Sequence, residues 1–78
     1  MIMAISKKSI IRCREKFQYK GISHMIQRAC YLIEEDVNVA IAEFIFDYDD
    51  IELYNVMLFL LKENYNFEEL NNFDYVKC

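Results

Sequence analysis

The chain has 78 residues and a mass of 9.4 kDa; 55% of it is apolar and 15% aromatic, with one glycine, no proline and a net charge of −4. That length predicts a single domain over residues 1–78, and so much apolar side chain with so little net charge excludes a disordered chain. The longest apolar run, Val56 to Leu61, is far short of the ~18 residues of a membrane span, and Met1 to Ile5 precede the lysines instead of forming a secretory h-region, so the expectation is a cytoplasmic domain.

With few breakers, the helices have to be read from caps and periodicity. The first is expected over Ser6 to Tyr19, where Ile10, Cys13 and Phe17 share a face and Gly21 suits a left-handed C-terminal cap. Ser23 is the expected N-cap of the second, whose apolar stripe is Met25, Ile26, Ala29, Leu32 and Ile33. In the third segment, Val37, Ala40, Ile41, Phe44, Ile45 and Tyr48 follow a helical period, and Asp36 stands at the cap position. The β-branched residues there leave one alternative, an α+β fold with residues 37–46 as a strand.

Asp49 and Glu52 have the capping-box spacing before a fourth helix that is apolar almost all round from Ile51 to Tyr65. Such a helix is either central in the fold or shared with a second subunit. A short helix from Asn66 to about Asn72 completes the chain, and the tail from Phe73 has no assignment. The fold class is therefore all-α, a compact bundle of four to five short helices.

The charge is divided. Residues 1–33 hold seven basic groups and one acidic; residues 34–78 hold two basic and twelve acidic. Lys8, Arg12, Lys16 and Lys20 recur every fourth residue, a stripe able to meet phosphates. Neutralisation of that stripe by the acidic half is the plainer expectation. A helix-turn-helix around Gly21 is excluded: Phe17 stands where a small residue is needed, and Lys16, Lys20 and Gln27 occupy apolar positions. The acidic half, through Glu34 to Asp36 and the 47–52 cluster, has the character of a nucleic-acid mimic or of a solvated surface.

Little here supports catalysis. Asp47, Asp49, Asp50 and Glu52 fail as a calcium loop, because Ile51 takes a ligand position and Glu52 the glycine position. His24 is the only histidine, Cys13 and Cys30 read as small buried apolar groups, and Cys78 reads as a mobile terminal thiol. A single glycine rules out phosphate-binding glycine loops. No enzyme, metal or cofactor is expected.

Six Phe and six Tyr are more than the core of so short a chain can hold, so some are expected at an interface. The candidates are Tyr48, Tyr54, Phe59, Tyr65 and Phe67. The leading expectation is a protein–protein interaction module, a homodimer that binds and modulates another protein. The alternative is a small nucleic-acid-binding regulator using Lys8, Arg12, Lys16 and Lys20. An abundance of Ile, Asn, Tyr, Phe and Lys, the bias of an AT-rich genome, suits a phage or bacterial accessory protein.

Overall fold

The computed structural model describes residues 5–77 and arranges them around one helix. Helix α4, Ile51–Asn64, buries every residue from Leu53 to Leu61, and α1 (Lys7–Lys16), α2 (Ile22–Glu35) and the turn at the end of α3 (Val37–Ile41) pack against it. A helix apolar on all sides is stable in water only when covered on all sides. The fold supplies that cover within one chain, so α4 is central. A Cα radius of gyration of 11.3 Å matches the ~11.5 Å of a compact domain this long. The fold is an all-α bundle, and no strand occurs among the described residues.

Local chemistry explains each boundary. Ser6 caps α1 by accepting from the Ser9 N–H, and Phe17 leaves the helix in extended backbone, with its ring inside the core. The chain then turns at Gly21, whose φ of 73° is the left-handed conformation that glycine adopts without steric cost. Its role differs from the expected one. Helix α1 has already ended at Lys16, and Gly21 instead closes a Tyr19–Ile22 turn and caps α2 in place of Ser23.

Asp36 both ends α2 and caps α3, accepting from the N–H groups of Asn38 and Val39 at 3.1 and 3.2 Å. This cap commits the segment to helix, and the strand alternative is not realised. Helix α3 then widens into a single π turn, Ala42–Phe46. The helix ends with that turn, because Asp47 leaves helical backbone (φ −136°, ψ 53°). Ala40, Ile41 and Ile45 stay buried, while Tyr48, expected on the same stripe, comes out to the surface.

Asp50, one residue beyond the expected Asp49, caps α4 through the Leu53 N–H at 3.2 Å. The last helix is a 3-10 turn, Glu68–Asn72, anchored by Leu70, which is buried. Two polar knots close the bundle at opposite ends of α4. At its C-terminal end Asn64 accepts from the Ser6 N–H and donates to Ser9 Oγ, tying down the start of α1. Near its N-terminal end Asn55, itself buried, grips the tail: its Oδ1 accepts from the Val76 N–H at 2.9 Å and its Nδ2 donates to the Val76 carbonyl at 2.7 Å.

Candidate functional site

The five aromatics expected at an interface divide by burial. Tyr54 and Phe59 lie inside the monomer, 3% and 8% exposed, which corrects their assignment as surface anchors. Tyr54 donates its hydroxyl to the Asp74 carbonyl at 2.8 Å, and Phe59 meets Phe17 edge-to-face with centroids 5.9 Å apart. The cause is the centrality of α4, which turns its aromatics toward neighbouring helices. Tyr65 and Phe67 are half-buried and stack on one another at 5.4 Å. Tyr48 alone of the five is exposed, at 39%, and its ring stacks on Tyr54 at 4.2 Å.

Among the described residues, the exposed large apolar groups Ile11, Tyr31 and Tyr75 lie apart, while Val39, Phe46, Tyr48 and Ile51 fall within one stretch of the chain. Val39, Ala42 and Phe46 stand at i, i+3 and i+7 on the side of α3 and its π turn opposite the buried Ala40, Ile41 and Ile45. Phe46 is 59% exposed and rests its ring edgewise on Phe73, with centroids 5.0 Å apart. Ile51, at the start of α4, is also exposed. Glu43, Asp47, Asp49 and Asp50, all exposed, are interleaved with them. The sequence does carry a signal for this face: a helix with one buried stripe has no need of Val39 and Phe46 outside it.

The four cations of the basic stripe do not act as one surface. Arg12 is held by Glu63 of α4, donating from Nε at 2.9 Å and from a second guanidinium nitrogen to the same carboxylate oxygen. Lys16 lies over the rings of Tyr75 and Phe17, its Nζ 4.9 and 5.5 Å from their centroids. Lys20 falls in the turn beyond the end of α1, so the helical row of four stops at Lys16. Lys8 is exposed at the other end of the helix.

The thiols of Cys13 and Cys30 are not activated. Cys13 is fully buried, and burial first, then the neighbouring Cys30, pushes its thiol up to about 12. Burial and then Glu34 raise the Cys30 thiol as well. A low pKa and an exposed position are what make a thiol reactive; Cys13 has neither, and Cys30, half-buried, has a raised pKa. His24 is exposed in the first turn of α2, and Cys78 lies outside the described residues. Searches of known protein families, of curated proteins and of solved structures give no match to this chain.

Proposed function

We propose that this chain is a small non-enzymatic interaction module that binds and modulates another protein as a homodimer, its two copies meeting through the outer face of α3, its π turn and the loop into α4. One observation carries this reading: Val39, Phe46, Tyr48 and Ile51 are exposed over consecutive elements, with carboxylates between them. An apolar strip edged by charge is the usual make-up of an interface, apolar at its centre and polar at its rim. The nucleic-acid alternative has less support, because Arg12 is neutralised by Glu63 and Lys20 is off the helix.

Light scattering on a sizing column tests the proposal. The unaltered chain is expected at the mass of two chains, while Phe46→Ser and Ile51→Ser, which remove exposed groups, are expected as folded monomers with unchanged helical circular dichroism. A chain that stays monomeric at every concentration, or a dimer indifferent to both substitutions, defeats this reading.

A further inference from the structure

The tail from Phe73 to Lys77 is neither helix nor strand, yet it is held like a bound peptide. Side chains of α4 read its main chain at four atoms. Lys62 Nζ donates to the Phe73 carbonyl at 2.7 Å, and the Tyr54 hydroxyl to the Asp74 carbonyl at 2.8 Å. Asn55 takes both the N–H and the carbonyl of Val76, as a neighbouring β-strand would. Contacts of this kind depend on an extended backbone rather than on the residues it carries.

Specificity comes from two side chains two residues apart. Phe73 lies against Phe46, and Tyr75, 37% exposed, lays one side of its ring against Phe17 and Phe59, with centroid distances of 5.6 and 6.4 Å. Lys16 and Lys62 stand 4.9 and 5.5 Å from the centroid of that Tyr75 ring. Cations over a ring favour an aromatic occupant over an aliphatic one. The strap leaves part of its groove open. A shallow depression of about 380 Å³, open to solvent, remains beside Tyr75, Val76 and Lys77, bounded by Lys16 of α1, Gln18 and Tyr19 of the α1–α2 connection and Asn55 of α4. Space of that size leaves contacts for another segment to gain.

We infer that the groove between α1 and α4 is a peptide-binding site, that the tail occupies it in cis, and that its ligand in trans is an extended segment of a partner protein with an aromatic–x–aromatic pattern. The strap is then autoinhibitory. Tethered so closely, it competes at an effective concentration on the order of millimolar, and the partner segment has to outbind it by filling the hollow. The site adjoins the outer face of α3, because Phe73 rests on Phe46, but its test reads the Tyr75 end of the groove, which no residue of that face lines, so either reading can fail without the other.

The test uses the full chain and a fluorescent peptide with the sequence of residues 71–77. The peptide is expected to bind the Tyr75→Ala chain at least about tenfold more tightly than the unaltered chain, whose own strap competes. A peptide with its tyrosine replaced by alanine is expected not to bind. Failure of the peptide to bind a folded Tyr75→Ala chain overturns the proposal.

Amide hydrogen exchange on the unaltered chain decides the matter if Tyr75→Ala does not fold. The Val76 N–H is expected to exchange at least about a hundredfold faster than the central amides of α4, because the strap opens alone. Equal protection means that the strap leaves only when the bundle unfolds, and overturns the proposal. A mass that doubles with concentration and returns to one chain on adding the peptide assigns the groove to a second copy's tail, and overturns the partner segment.

Discussion

Asn55 and Cys13 show how single positions acquire meanings that their residue type does not announce. Asparagine in the middle of a buried helix is costly unless its amide is satisfied, and here Val76 and the Tyr19 hydroxyl satisfy it. Nothing in the helical period of α4 marks this residue as the anchor of the tail. Cys13 was legible as a buried apolar group, and its burial has a consequence for alkaline stability. The thiol has an ordinary pKa of 9.0 and is pushed to about 12 in the fold, so below pH 9 both folded and unfolded chains hold the proton and nothing is lost. Between these values the unfolded chain releases it and the folded chain does not, so stability falls as pH rises. Tyr75, pushed by burial from 10.0 to about 12, adds to the same fall. Denaturant midpoints are expected to decline from about pH 9 upward, and Cys13→Ala is expected to flatten that decline even though it lowers the midpoint at neutral pH. An identical slope in the variant would assign the decline to other groups.

Helix identity was readable along most of the chain, and helix ends were not. The stripe Ile26, Ala29 and Ile33 of α2 is buried as its spacing predicts. The ends shifted because adjacent residues compete for one cap. Asp49 offered a capping box with Glu52, but Asp50 makes the bond to Leu53, which starts the helix one residue later. The competition can be measured. Asp50→Ala is expected to cost about 1 kcal/mol of stability, the usual value of a lost N-cap, whereas Asp49→Ala is expected to cost close to nothing. Equal costs in urea unfolding would restore the capping box. The π turn in Ala42–Phe46 lies beyond any such local reading. A period of 3.6 placed Tyr48 in the core, but the helix ends with this turn at Phe46 and Tyr48 falls in the exposed connection to α4.

The division of charge, plain in the composition, is resolved differently across the folded molecule than along the chain. Part of the basic first helix is spent on the protein's own α4, through Arg12 and Glu63, and part on the ring of Tyr75 through Lys16. Exposed ion pairs of this kind contribute little to stability, but they remove a cation from the surface offered to phosphates. With the stripe so reduced, a short DNA duplex added at low salt is expected to leave the mass on a sizing column unchanged. Co-elution that disappears at high salt, and that is lost on reversing Lys8 and Lys16 to Glu, would make α1 the working surface instead.

The amino-acid pattern alone decided that the chain is helical, that Asp36 starts a helix, and that the fourth helix is too apolar to be left uncovered. Each rests on contacts within one or two turns, which are written in consecutive residues. Which aromatics face water, which carboxylate meets Arg12, and where the tail goes were decided only by tertiary packing. Tyr54 and Phe59 are inside because three elements and the tail enclose α4; Tyr48 is outside because the helix of the third segment ends before it, at Phe46. The enclosure of α4 by the tail and the pairing of its charge depend on residues 21 and 51 positions apart along the chain, Asn55 with Val76 and Arg12 with Glu63, and a periodicity read over one helix has no access to them.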